Sequence, residues 1–233
     1  YIRLKLGAKR DGTLTAGQAY LAYEAGSHPP SPVGGGCVTV FGPYDIPNLQ
    51  VDGYDVVLNK PKVSSYRAPG ACQPALAVES VLEELAEQLE IEPMELRLKN
   101  AAREGTRRID GRAFPEIGCV DVMEVVQQSD HYRSELGGEH RGRGVGFGYW
   151  YNGGGEGTAS ASINADGTVS VIVGSVDIGG LRASLAMHMA EALGIPYEDV
   201  RTHVVDTESI GFTGLTAGSS TLFKTGWAVY QVA

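Results

Sequence analysis

The chain is poor in cysteine, in basic charge and in long apolar runs. Its three cysteines, Cys37, Cys72 and Cys119, are scattered. That arrangement supports neither a disulfide framework nor a paired-cysteine metal site, and it leads us to expect a reducing, cytoplasmic setting. The five histidines lie far apart and never take an HExxH spacing, so no metal-ligating set is expected. Nineteen Lys and Arg face 28 Asp and Glu, for a net charge of −9, which argues against a nucleic-acid partner. No apolar stretch approaches the roughly 18 residues of a membrane span, so no membrane partner is expected. Residue 1 opens directly on a strand pattern, not on a signal peptide. There is no GxSxG elbow and no Walker loop.

Glycine is the residue in excess. It accounts for 32 of 233 residues, about double the usual ~7% share. It clusters in "GGGC" (34–37), "RGRGVGFG" (141–148) and "NGGGEG" (152–157). Such clusters mark tight turns, close approach to a ligand, or flexible loops. "GGGEG" precedes a strand pattern instead of a helix, so a dinucleotide-binding reading fails on context.

Alternation of Ile2, Leu4 and Leu6 with Arg3 and Lys5 predicts a strand. "RDGT" (10–13) predicts a hairpin turn into the return strand "LTAGQAYLAYEAG". Residues 27–36, rich in Pro and Gly, are expected to be irregular, and "CVTVFGPY" and "YDVVLNK" to be short strands. Val78, Leu82, Leu85 and Leu89 recur at helical spacing opposite Glu83, Glu84, Glu87 and Gln88, which predicts a helix over 73–89. "EPMELRLKNAA" and "CVDVMEVVQQS" (119–129) predict two more. The polar run 131–144 reads as the boundary between two units. Beyond it, "VGFGYWY" is expected as a strand and 158–176 as a second hairpin with its own DGT turn. A helix from 182, a strand over 199–206 and a terminal helix complete the second unit.

Three glycine-marked loops lead into helices: "YRAPGACQP", "DIGGLRAS" and "TGLTAGSST". The N–H groups of a helix N-terminus point outward and suit an anion. Three such loops, one carrying Arg67, point to a large polyanionic cofactor, and a pyranopterin with its phosphate fits that chemistry. Arg67 can make charge-assisted bonds to an oxo or phosphate group. Glu79 and Asp206 are the carboxylates that stand as candidates for a base, a role that needs a pocket that raises the pKa.

Four stretches then match one family in order and spacing. "YRAPGACQPALAVESVLEELAEQLEIEPMELRLKNAAREG" resembles the RGFG-type loop, helix and "DPxELRxxN" segment of the molybdopterin-binding subunits of the xanthine dehydrogenase and aldehyde oxidase family. "GPYDIPNLQVDGYDVVLNK", "GSVDIGG…MAEALGIPYEDVRTHVVDT" and "TGLTAGSSTLFKTGWAV" are similar to three further family segments. The resemblance covers essentially the whole chain. It implies an α/β (α+β) fold with mixed, mostly antiparallel sheets and packed helices. It implies two molybdopterin-binding subdomains, 1–138 and 139–233. It implies a molybdenum ion on a pyranopterin, possibly in the cytosine dinucleotide form, with iron–sulfur clusters and FAD on partner domains or subunits. The implied activity is water-dependent oxidation of an aldehyde or N-heterocyclic carbon.

Residue by residue, Arg67 matches the arginine at the molybdenum site. Gly179 and Gly180 match the flanking glycines of a GQG motif. Gly218 matches a backbone N–H donor to a molybdenum oxygen, and Ser219 and Thr221 match hydroxyls that contact the pterin. The family's catalytic glutamate is expected outside this chain, so Glu79 and Asp206 are read as structural, and the chain by itself is expected to be inactive. Three departures follow from the same comparison. No glutamine stands between Gly179 and Gly180. Pro69 replaces the phenylalanine that stacks on purines, and Gly35 falls near the position of the purine-orienting arginine, so a xanthine substrate is not expected. Ala68 stands where aerobic carbon monoxide dehydrogenases carry cysteine. The alternative is a non-catalytic module of the same fold that serves subunit assembly.

Overall fold

The computed structural model of the chain describes residues 1–151 and 154–233, so Asn152 and Gly153 of the "NGGGEG" cluster lie outside the described residues. Its contacts divide the chain into two compact units, Tyr1–Trp150 and Tyr151–Ala233.

In the first unit, β1 (Ile2–Ala8) and β2 (Leu14–Gly26) form an antiparallel hairpin. At its turn the Asp11 carboxylate accepts the Thr13 N–H at 3.0 Å, and Gly12 takes a φ of +84°, the left-handed conformation that costs glycine little. A helix, α1 (Val33–Thr39), precedes β3 (Leu49–Val57), which pairs parallel to β2. Then come α2 (Cys72–Leu89), α3 (Pro93–Lys99), α4 (Cys119–Gln128) and the single turn α5 (Asp130–Arg133). Leu14, Leu21, Val78, Leu82, Ala86, Met94 and Met123 meet in one core. The buried stripe of α2 centres on Val78, Leu82 and Ala86, so Leu85 and Leu89 lie on its flank. Pro93 opens α3, and the Glu92 carboxylate accepts the Glu95 N–H at 2.8 Å, a side-chain cap of the kind that stabilises a helix start by about 1 kcal/mol. At the far end of α3, Asn100 receives the Leu14 N–H (2.8 Å) and donates to the carbonyls of Gly12 (2.9 Å) and Leu96 (2.8 Å). That buried amide ties the α3 terminus to the hairpin turn.

Three expectations fail here. Residues 33–39 form a helix although three of them are consecutive glycines. Close packing holds a glycine at position 36: a Cβ on Gly36 would sit 2.8 Å from the Gly70 carbonyl oxygen and 3.0 Å from the Tyr23 hydroxyl. The "CVTVFGPY" strand is therefore replaced by the end of α1 and a turn. "VGFGYWY" likewise pairs with no strand among the described residues. It packs instead, with Val145 and Phe147 against the core and the Tyr149 ring edge-on to Phe114 at 5.2 Å. This packing carries the first unit through Trp150, past the polar run over 131–144.

The second unit repeats the topology. β4 (Ala159–Ile163) and β5 (Val169–Val173) pair antiparallel across the second DGT turn, where Asp166 accepts the Thr168 N–H at 3.0 Å. Helix α6 (Leu181–Leu193) leads to β6 (Val200–Val204), parallel to β5. Each sheet thus holds one antiparallel and one parallel ladder, and each unit reads hairpin, helix, parallel strand. Helix α7 (Thr221–Val232) ends the chain, and Val229 joins Val171, Leu185 and Met189 in the second core. His188 packs where a Cβ on Gly226 would stand, 2.5 Å away, which gives that histidine a packing role.

Candidate functional site

The loop before α2 is built around Gly70. Its φ is +84°, and a Cβ there would lie 2.0 Å from the Pro32 carbonyl oxygen. The Tyr23 hydroxyl donates to the Gly70 carbonyl at 2.9 Å, and burial pushes that phenol up to about 12. So fixed, the chain turns into α2 with Ala71 at its N-cap and no side-chain cap. Arg67 is exposed three residues upstream of Gly70. Its guanidinium has no hydrogen-bond or ion-pair partner among the described residues. A cation in the loop that leads into an uncapped 18-residue helix and the end of that helix each attract an anion.

Beside this loop lies a mainly apolar cavity of about 200 Å³, lined by Val40, Ala68, Ala75, Val78, Glu79 and Phe147 among others. Glu79 has both oxygens engaged. One accepts the Tyr44 hydroxyl at 2.5 Å, and the other accepts Arg97 Nε at 2.9 Å. Arg97 is fully buried. It also donates to the carbonyls of Pro93 (3.0 Å) and Glu79 (3.3 Å) and pairs with Glu83 at 3.1 Å. Burial, and then the Glu79 charge, push the Tyr44 phenol far above its usual range. Glu79 therefore braces α2 against α3.

In the second unit, Gly179 and Gly180 take φ of +106° and +80°, and a Cβ on either would meet open space. The end of α6 has an acceptor of its own. Asp177 Oδ1 takes the N–H groups of Gly179 (2.9 Å) and Leu181 (3.2 Å), and its Oδ2 pairs with Arg182 at 2.7 Å. The Arg182 bond, followed by the backbone N–H of Gly179, lowers the Asp177 pKa. The loop before α7 is different. Gly218 and Ser219 both take left-handed φ, +67° and +59°. A non-glycine residue in that conformation is uncommon and strained. Ser219 is exposed, and Thr221 is buried as the first residue of α7. The N-cap Ser220 turns its hydroxyl back to the Ala217 carbonyl at 2.8 Å and caps no N–H. Asp206 closes a turn, accepting the N–H groups of Glu208 (2.9 Å) and Ser209 (3.0 Å). The Ser209 hydroxyl is the largest cause of its lowered pKa, the opposite of what a general base requires.

Arg67 thus belongs to the first unit, and Gly179, Gly180, Gly218, Ser219 and Thr221 to two loops of the second. Within the first unit, the uncapped end of α2 and the Arg67 guanidinium suit phosphate or oxo oxygens, and within the second unit the uncapped end of α7 suits them too. The end of α6 suits them less well, because the Asp177 carboxylate already takes two N–H groups there. The sequence reading missed Asp177, although an aspartate two residues before a glycine is a known turn signal. It also missed Arg97 and Tyr44 as the partners of Glu79, and no local pattern reveals that pairing. Among the described residues no group of three or more His, Cys, Asp or Glu could hold a metal ion. No helix among them is long and apolar enough to cross a membrane.

Models of the molybdopterin cofactor-binding domain match residues 1–101 and residues 120–233. The xanthine dehydrogenase molybdenum-binding subunit of Escherichia coli O157:H7 is 30% identical over 236 residues, covering 92% of this chain and 31% of that protein. The large molybdopterin subunit of nicotinate dehydrogenase from Eubacterium barkeri is 29% identical over 128 residues, 53% of this chain and 30% of that protein. The structure of the aldehyde oxidoreductase of Desulfovibrio gigas superposes with a TM-score of 0.76 at 26% identity, over 99% of this chain and 27% of that one. Quinoline 2-oxidoreductase of Pseudomonas putida 86 shares the fold, with a TM-score of 0.82 over 98% of this chain and 33% of that one. The chain spans about a third of the length of these relatives. Two molybdopterin-binding folds in series, uncapped helix ends behind glycine loops and relatives along nearly its whole length mean that this chain belongs to the xanthine dehydrogenase and aldehyde oxidoreductase family of molybdenum hydroxylases.

Proposed function

We propose that the chain is the central part of a molybdenum hydroxylase catalytic subunit that oxidises an aldehyde or N-heterocyclic carbon with water. The observation that carries this reading is the exposed Arg67, with no side-chain partner among the described residues, in the loop that leads into the uncapped α2 terminus, in a chain matched by two molybdopterin-binding domain models. Bound molybdopterin supplies a redox metal centre for a two-electron oxidation. Arg67 and the first N–H groups of α2 attract and orient the anionic cofactor. In the α7 loop the Ser219 hydroxyl is exposed to do the same, where Gly218 supplies the left-handed turn. Gly179 and Gly180, without side chains, let the cofactor approach the backbone closely, and Thr221 anchors the first turn of α7. The mainly apolar lining of the cavity beside Ala68 suits a small aromatic or aldehyde substrate. Glu79, with both oxygens engaged, holds the scaffold and moves no proton. On this reading the proton-accepting carboxylate is the family's glutamate, expected outside residues 1–233, and electrons leave to iron–sulfur and flavin partners. A cytoplasmic setting goes with this reading.

The test is to express the full-length protein in a molybdenum-competent host and assay molybdenum by mass spectrometry alongside releasable pterin. Stoichiometric amounts of both are expected, and Arg67→Ala should lower the pterin content severalfold. Protein with neither molybdenum nor pterin defeats the proposal. The Asp177 carboxylate at the α6 end favours a second reading, a cofactor-free assembly module. Cofactor-free protein that still binds an iron–sulfur subunit would be its signature.

A further inference from the structure

We infer that Lys224 is a positioning residue that sets the shape of the loop before α7. This rests on the molybdopterin reading only for what the loop contacts, not for how it is held. Lys224 lies in the first turn of α7 and is buried, with 6% of its surface exposed. A helical side chain points back toward the N-terminus, and its ammonium accordingly reaches the carbonyls of Gly214 and Leu215, each at 2.7 Å. No carboxylate pairs with it among the described residues. Burying an ammonium is costly, and an apolar side chain would fill the space without that cost. The return for the charge is its hold on two peptide carbonyls.

The rest of the loop is stitched to the chain entering β4. The Gly214 N–H donates to the Glu156 carbonyl at 3.0 Å, and the Thr158 hydroxyl donates to the Phe212 carbonyl at 2.5 Å. Gly157 packs against the Lys224 backbone, where a Cβ would meet its carbonyl oxygen at 2.8 Å. A trans peptide points its C=O and N–H in opposite directions. Carbonyls 214 and 215, drawn toward Lys224, therefore turn the N–H groups of Leu215 and Thr216 away from it. Between this anchor and α7 stand Gly218 and Ser219, both with left-handed φ. Lys224 closes this short loop, fixing carbonyls on its inner side and donors on its outer side.

The experiment compares Lys224→Met and Lys224→Arg with the wild type in the full-length protein. It reads amide hydrogen exchange over 211–220 and pterin content per polypeptide. Two charge-assisted bonds are at stake, so exchange over 211–220 should speed by about tenfold or more in Lys224→Met, while that of α6 stays unchanged. Pterin content should fall severalfold, and Lys224→Arg, which keeps a buried cation, should restore both. Should Lys224→Met not fold, Lys224→Gln is read the same way. Unchanged exchange in Lys224→Met overturns the inference, as does fast exchange with full pterin content. Wild-type protein without pterin defeats the molybdopterin reading instead, and the exchange comparison still decides whether Lys224 holds the loop.

Discussion

Removing Glu79 tests how the first unit is held together. In Glu79→Ala, Arg97 stays fully buried and keeps the Pro93 carbonyl and Glu83, a partner whose side chain is 47% exposed. Breaking a buried ion pair from one side costs about 3–5 kcal/mol, because the other charge stays buried. Tyr44 also loses the acceptor for its hydroxyl, a loss worth about 1–3 kcal/mol when counted alone. The two overlap, since Glu79 serves both partners, so we expect a net loss of about 3–5 kcal/mol. At about 2–4 °C per kcal/mol for this size, the melting temperature should drop by roughly 6–20 °C. Glu79→Leu combined with Arg97→Met removes both charges and should cost clearly less than the sum of the single changes, since apolar replacement of a buried pair is often neutral. Urea unfolding of the 233-residue chain, followed by tryptophan fluorescence, measures Glu79→Ala and the cycle of wild type, Glu79→Leu, Arg97→Met and the double variant. A Glu79→Ala cost below about 1 kcal/mol, or additive single changes, would refute the bracing role.

Gly70→Ala places a Cβ 2.0 Å from the Pro32 carbonyl oxygen at a φ of +84°; it should destabilise the first unit by at least 2–3 kcal/mol or so and raise proteolytic cleavage around Arg67. Asn100→Ala removes three buried hydrogen bonds and should cost about 2–4 kcal/mol in the same urea assay; Asn100→Asp, which keeps the acceptor but not the donor, should not recover that loss. The Asp11 pKa falls from an ordinary 3.8 to about 2, chiefly through the Thr13 N–H. Its support of the turn is therefore present above pH 3.8 and fades as pH falls toward 2. Protection of the Thr13 amide, its exchange measured against the intrinsic rate at each pH, should fall over that window and stay level in Asp11→Asn.

Local physics made most elements legible. Alternation gave β1, the DGT turns gave both hairpins, and the apolar stripe gave α2, because each depends on neighbours within a turn or a strand pair. Val33–Thr39 and residues 145–151 escaped for one reason. Glycine runs and short apolar runs carry no period of their own, and what packs against them decides their form. Position 36 within α1 is held by a glycine because the Gly70 carbonyl and the Tyr23 hydroxyl leave no room for a side chain. The candidate site divides along the same line. The three glycine loops, Arg67 and the family pattern stand in the sequence itself. That Glu79 is a brace, that Asp177 meets the end of α6 and that Lys224 grips Gly214 and Leu215 are tertiary facts. Glu79 and Arg97 stand 18 residues apart on different helices, and no local periodicity links such a pair. Only the packed fold brings it together and takes away the water that would have weakened it.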